Sequence, residues 1–182
     1  AVLDKGEFRL RKKQFDAHES ILSCLKSFEL TVRDQGGFLN FKPEAENHTL
    51  FADENHFKNM INNLLDNAAK YSRSYPEIQV VTRNNNGMFV VEVHDKGVGI
   101  SPENQKHIFR KLYRVPTGNV HDVKGFGLGL YYVMTMAEAH KGFVKVSSEP
   151  RKGSIFEIHL PTEAQTELTT KFDDPESQDI AG

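Results

Sequence analysis

The chain is poor in several things at once, and each shortage removes a class of function. It has one cysteine, Cys24, so neither an internal disulfide framework nor a cysteine-rich zinc site is available. Its neighbours Ile21, Leu22, Leu25 and Phe28 mark that thiol as a buried, inert one. Eight histidines are present, but none stands in HExxH or similar ligand spacing. Charge of one sign is also lacking. The 23 basic and 25 acidic residues leave a formal charge of -2, with no basic cluster suited to nucleic acid or a membrane surface. No apolar run is long enough to cross a bilayer, and no signal peptide is recognisable. The expectation is a soluble, cytosolic segment, which can still be a fragment of a membrane protein.

What is present is a globular composition, 38% hydrophobic over 182 residues, which suits one domain with a full core. Residues 1–162 are expected to form it. Residues 163–182, with Asp173-Asp174-Pro175-Glu176, are expected to be a disordered polar tail. Phe8, Leu10 and Lys12 alternate like a short strand. About Phe15 to Asp34 reads as an amphipathic helix ended by Gly36-Gly37, with Phe15, Ile21, Leu22, Leu25, Phe28 and Val32 inward. Phe38–Lys42 and His48–Phe51 read as a pair of strands around Pro43. Ile78–Thr82 and Met88–His94 read as a hairpin across Asn84-Asn85-Asn86-Gly87. Ser101-Pro102 starts a short helix ending near Phe109. Arg114 to Lys124 reads as a mobile loop. Gly127 to His140 is expected to be a helix with Leu128, Leu130, Tyr131, Met134 and Ala137 inward, closed by Lys141-Gly142. Phe143–Ser147 and Ser154–Leu160 form the last hairpin.

The richest segment is FKNMINNLLDNAAKYS, from Phe57 to Ser72. At about 100° per residue, Phe57, Ile61, Leu64, Leu65 and Ala68 share an apolar stripe, and Asp53 caps the helix. His56, Asn63, Asn67, Lys70 and Tyr71 share the opposite stripe. A solvated face usually carries Glu, Lys and Arg, whereas this one offers two amides a turn apart, an ammonium and a phenol. Asn67 is the candidate magnesium ligand, because Mg²⁺ takes oxygen ligands, keeps waters and often binds alongside phosphates. Asn63 can orient a water or a phosphate oxygen, and Lys70 and Tyr71 reach the same space. An ordinary polar helix face is the competing reading.

Asp95 ends the strand Val91–Asp95, where alternation puts Val91, Val93 and Asp95 on one face. A carboxylate at the rim of an apolar pocket can accept from an exocyclic amine such as that of adenine. Guanine presents a carbonyl there, a mismatch costing roughly 1–3 kcal/mol or more. Gly97, Gly99 and Ile100 follow in DKGVGI, where the glycines allow close backbone approach or positive φ; a plain turn is the alternative. Gly125-Phe126-Gly127-Leu128-Gly129-Leu130 opens a helix whose free N–H groups favour phosphate, unless it is only a hinge. It is neither the dinucleotide fingerprint nor a P-loop, since no GK[ST] follows. Phe109 and Tyr113 can anchor the loop between these motifs, and Arg114 and Lys124 flank it.

In this order the motifs resemble the catalytic ATP-binding domain of bacterial sensor histidine kinases. The wider superfamily includes gyrase, the large heat-shock chaperone ATPases and the mismatch-repair ATPases. NNLLDNAAKYS resembles the N box, DKGVGI the G1 box, IFRKLYRV the F box and GFGLGL the G2 box, over about residues 5–161. The resemblance implies an α+β fold: a two-layer α/β sandwich with a mostly antiparallel mixed sheet of about five strands under about three helices, and an ATP lid. It implies that ATP and Mg²⁺ bind, with Asn67 holding the metal and Asn63, Lys70 and Tyr71 contacting phosphate and nucleotide. It also implies Asp95 reading adenine beside Gly97, Gly99 and Ile100, and Arg114 lying near the γ-phosphate. Tyr113, Lys124, Gly125, Phe126, Gly127, Leu128, Gly129 and Leu130 would complete the nucleotide-binding set.

Lys96 stands where many members carry Asn. No H box is present either: His18 sits in Asp16-Ala17-His18-Glu19-Ser20 without the Arg/Lys-Thr-Pro that follows a phosphoaccepting His. The implied activity is transfer of the γ-phosphoryl group to a His on a separate dimerisation domain, with a response regulator downstream. This segment would be the cytosolic kinase part of a membrane-anchored sensor. An ATPase or serine kinase of the same superfamily, or an ATP-sensing module without turnover, are the alternatives.

Overall fold

Three long helices lie on one face of a five-stranded sheet in the computed structural model, which describes residues 9–115 and 126–162. In chain order the elements are β1 (Lys13–Asp16), α1 (Ala17–Asp34), β2 (Phe38–Pro43), β3 (Thr49–Ala52), α2 (Glu54–Lys70), β4 (Glu77–Asn85) and β5 (Met88–Asp95). There follow α3 (Pro102–Gln105), α4 (Gly129–Ala139), β6 (Phe143–Glu149) and β7 (Gly153–Pro161). The sheet order is β2-β4-β5-β7-β6, antiparallel except for the parallel pair β2–β4. This is the expected two-layer α+β sandwich. Strands β1 and β3 form a separate antiparallel pair.

Strand alternation divides the layers. Phe89, Val91 and Val93 of β5, with Phe156, Ile158 and Leu160 of β7, enter the core beneath the helices. Glu92, Glu157 and Arg83 face away from the helices, where Arg83 pairs with both carboxylates. From the helices come Ile21, Cys24 and Leu25 of α1, Phe57, Met60, Ile61, Leu64 and Leu65 of α2, and Val133, Met136 and Ala137 of α4. Burial raises the Cys24 thiol pKa, consistent with an unreactive group. Asn86 (φ 49°) and Gly87 (φ 74°) turn the β4–β5 hairpin, the pair of left-handed residues a two-residue primed turn needs.

Several expectations shift. The first described strand is Lys13–Asp16, later than the Phe8–Lys12 alternation, and Phe15 belongs to it rather than to the helix. Asp16 caps α1, its carboxylate accepting the Glu19 N–H. The segments after α1 are strands but do not pair with each other: β2 joins β4 and β3 joins β1. The helix after Ser101 spans four residues, and the chain continues as turns rather than as helix to Phe109. Helix α4 starts at Gly129, and its fully buried side chains are Val133, Met136 and Ala137, not Leu128, Tyr131 or Met134. Phe8, most of the 114–124 loop, Lys124, Gly125 and the 163–182 tail lie outside the described residues.

Candidate active site

Asp53 sets the start of α2: its Oδ1 accepts the N–H groups of Asn55 and His56 at 3.1 and 3.2 Å. Burial of Phe57, Met60, Ile61, Leu64, Leu65 and Ala68 then fixes the rotation of the helix. Rotation, not local chemistry, aims Asn63, Asn67 and Lys70 outward from the core. Two adjoining cavities open on that face. One, of about 250 Å³, is lined by Asn67, Tyr71, Asp95, Gly99, Ile100, Tyr113, Leu130 and Ser154, among others. The other, of about 280 Å³, is lined by Asn63, Asn67, Lys70, Tyr71, Phe126, Gly127, Leu128 and Gly129, among others. Arg114, Tyr113, Asn67 and Tyr71 border both. Every nominated residue within the described part of the chain therefore meets this double cavity, apart from Gly97.

Gly97 acts behind the wall. A Cβ there would sit 2.5 Å from the Tyr71 carbonyl oxygen, and the neighbouring Val98 N–H donates to that carbonyl at 3.0 Å. The end of α2 and the loop after β5 are thus tied together. Gly99 has φ +69°, and a Cβ would lie 1.9 Å from the Glu149 carbonyl oxygen; only glycine fits. Gly129 brings the start of α4 against α2, since a Cβ there would lie 2.8 Å from Asn63 Oδ1. Gly127 (φ +67°) accepts the Leu112 N–H at 3.1 Å. Helix α4 has no side-chain cap at its N-terminus, so its first N–H groups are open to a ligand.

Two charged residues, Asp95 and Arg114, line the first cavity among the described residues, and Asp95 is the acidic one. Burial raises the Asp95 pKa, with the N–H groups of Gly97 and Ser154 pulling the other way; Gly97 N donates to Oδ1 at 2.8 Å. These donors favour the carboxylate and leave its remaining lone pairs toward the cavity. Phe109 and Tyr113 are anchors. Phe109 packs edge-on against Phe156, ring centroids 6.5 Å apart, and the Tyr113 hydroxyl donates to Asn104 Oδ1 at 2.9 Å. His18 is held by packing, stacked on His48 with centroids 4.3 Å apart and its Nε2 2.8 Å from Thr82 Oγ1.

Sequence reasoning missed three residues. Ser154 lines the cavity beside Asp95, Ser148 Oγ accepts the Ile100 N–H, and the Gln105 amide donates to the carbonyls of Ile100 and Ser148. A larger depression of about 540 Å³ lies on the helix-free face, lined by Phe38, Gln79, His94 and Lys152, among others. None of the α2 amides reaches it, so volume alone does not mark the site. Among the described residues, no group of three or more His, Cys, Asp or Glu is arranged to hold a metal, and no helix is long and apolar enough to cross a membrane.

Residues 52–164 match the family described as histidine kinase-, DNA gyrase B- and HSP90-like ATPase. The chain is 42% identical over 163 residues to sensor protein RprX of Bacteroides fragilis, covering 88% of this chain and 31% of that protein. The catalytic domain of histidine kinase ThkA superposes with a TM-score of 0.73 at 22% identity, covering 84% of this chain and 98% of that one. Full-length ShkA, solved in complex with AMPPNP, gives 0.75 at 21% identity, covering 86% of this chain and 32% of that one. Both structural likenesses speak to the fold. The chain spans about a third of the RprX relative's length. Matched over more than half of its residues, the chain belongs to the histidine kinase-, DNA gyrase B- and HSP90-like ATPases.

Proposed function

We propose that the chain is the ATP·Mg²⁺-binding catalytic domain of a sensor histidine kinase. The single observation that carries this is the convergence of Asn67 and Asp95 on one double cavity. The two compartments together fall in the range of about 300–1,000 Å³ usual for small-molecule sites. Adenine belongs in the compartment with Asp95, and the phosphates in the one lined by Asn63, Lys70 and the glycines that open α4. The uncapped helix N-terminus and Lys70 both favour anions there.

The donor set fits Mg²⁺, because Asn67 offers a neutral amide oxygen while ligand phosphates supply the negative charge. When bound, the ion would neutralise charge on the phosphates. The chain's own residues position the nucleotide: Asp95 orients the base, Asn63 and Lys70 hold phosphate oxygens, and Arg114, at the border of both compartments, faces the terminal phosphate. The acceptor is an imidazole on a separate domain. Its unprotonated nitrogen carries a lone pair, so it attacks the γ-phosphorus without a general base; a P–N bond forms, the P–O bond breaks and ADP leaves. Such chemistry asks the protein for positioning and charge stabilisation. The parent protein is read as a membrane-anchored sensor with this domain in the cytosol, passing its phosphoryl group on to a response regulator.

The test is to incubate the domain with γ-labelled ATP and Mg²⁺, alone and with a His-bearing helical dimerisation domain. Acid-labile label is expected on the added domain only. Label on this chain, or none on the partner despite ATP binding, overturns the assignment.

A further inference from the structure

The β6–β7 turn is fastened to the loop that follows Asp95. Arg151 N donates to the Val98 carbonyl at 2.7 Å, and Gly99 lies against Glu149 with no room for a side chain. At the centre is one hydroxyl with three partners: Ser148 Oγ is 2.8 Å from Ile100 N, 2.8 Å from the Gly153 carbonyl oxygen and 2.9 Å from Ser154 Oγ. A serine hydroxyl has one proton and two lone pairs. The Ile100 N–H can only donate, so it occupies one lone pair. The Gly153 carbonyl can only accept, so it takes the Ser148 proton. The remaining lone pair must accept from Ser154, and the Ser154 proton is committed to Ser148. Ser154 is 6% exposed and lines the cavity beside Asp95.

We propose that Ser148 sets the polarity of the base-facing wall: by binding the Ser154 hydroxyl proton, it leaves that wall presenting acceptors only. Asp95 and Ser154 then both face the ligand with lone pairs, which suits an exocyclic amine and rejects a ring carbonyl. Ser148 lies behind the wall and acts through Ser154, as a positioning residue for specificity. Without it, the Ser154 hydroxyl rotates freely and can donate to a carbonyl. This rests on the ATP reading of the cavity.

The test compares dissociation constants for ATP and ITP, which carries a carbonyl in place of the amine, using the unaltered chain, Ser148→Ala, Ser148→Thr and Gln105→Leu. Ser148→Ala is expected to shrink the ATP-over-ITP ratio about tenfold, while Ser148→Thr keeps it. Gln105→Leu removes a clamp without disturbing the proton order, so it should weaken both nucleotides equally. An unchanged ratio in Ser148→Ala, or the same fall in Gln105→Leu, overturns the proposal. If Ser148→Ala does not fold, hydroxyl-proton NMR of the unaltered chain decides. A Ser154 hydroxyl resonance with a cross-peak to Ser148 supports the assignment, and a Ser148 proton directed at Ser154 overturns it. An unaltered chain that binds neither nucleotide refutes the ATP reading itself, and the proposal with it.

Discussion

In the proposed function Asp95 and Asn67 divide the work of recognition between an anion and a neutral amide, and each makes its own prediction. Asp95→Ala removes the only acidic side chain among the described residues that line the first cavity, while leaving its apolar lining. Its effect should be lost preference for ATP over GTP by roughly 10–100-fold, the worth of about 1–3 kcal/mol in a buried hydrogen bond. An unchanged preference in calorimetry would contradict the base-reading role. Asn67→Ala should lower ATP affinity about tenfold in Mg²⁺ and leave it nearly unchanged when the metal is chelated; equal losses in both conditions would contradict the metal assignment. These two residues were legible because each stands inside a segment whose period reveals its face. Ser148, Ser154 and Gln105 were not. They are short or neutral side chains on a hairpin and a helix end, joined across 43 residues. Only the folded turn reveals that the Ser148 and Ser154 hydroxyls are bonded to each other and that Gln105 clamps the same turn through backbone carbonyls.

Helix α2 was readable because its apolar stripe is narrow and its cap explicit. Asp53 also accepts the Arg11 N–H at 2.8 Å, so it ties the chain before β1 to the helix that carries the amides. Burial raises its pKa, but the N–H donors of Arg11, His56 and Asn55 outweigh that and hold the carboxyl below its usual range. Asp53→Ala should cost about 0.5–2 kcal/mol as a lost cap, seen as a lower melting temperature. A melting temperature unchanged by the substitution would mean that the cap contributes nothing. Helix α4 was misphased because it is apolar on nearly every side, so leucines near its start drew the stripe toward the cavity end. The packed residues lie later, at Val133, Met136 and Ala137. Its end was clearer: Lys141 takes φ 63°, and a Cβ at Gly142 would lie 2.0 Å from the His159 carbonyl oxygen. The helix at Ser101 was legible in its start and not in its length, because the stretch from Ile108 to Tyr113 has helical spacing yet turns to bring Leu112 against Gly127.

At the scale of the whole molecule, three histidines among the described residues couple folding to pH. His140 Nε2 accepts the Asp53 N–H at 3.0 Å, and its Nδ1 bonds the Met136 carbonyl at 2.7 Å; a second proton on the ring would break the first of these. Burial lowers its pKa. Burial likewise lowers His159, despite Glu157, and His18, which also feels His48. A folded pKa below the unfolded value of about 6.5 means that the unfolded chain binds protons first. The stability is therefore complete above that pH and is lost as pH falls through the window beneath it. Asp95, raised by burial, works in the opposite sense only nearer the carboxylate range. The melting temperature should fall between pH 7.5 and 5.5, and a flat or rising profile would contradict the histidine burial. The layers of this molecule were legible in the sequence, but the partners of β2 and β3 were not, because strand order depends on long-range pairing that no local period encodes. The central claim is that one nucleotide spans both cavities, and a crystal structure with a non-hydrolysable ATP analogue and Mg²⁺ tests it most directly. The account predicts the base amine on Asp95, the metal on the Asn67 amide oxygen and the phosphates at the start of α4. A base seated in the groove on the helix-free face of the sheet, or a metal without Asn67 among its ligands, would contradict it.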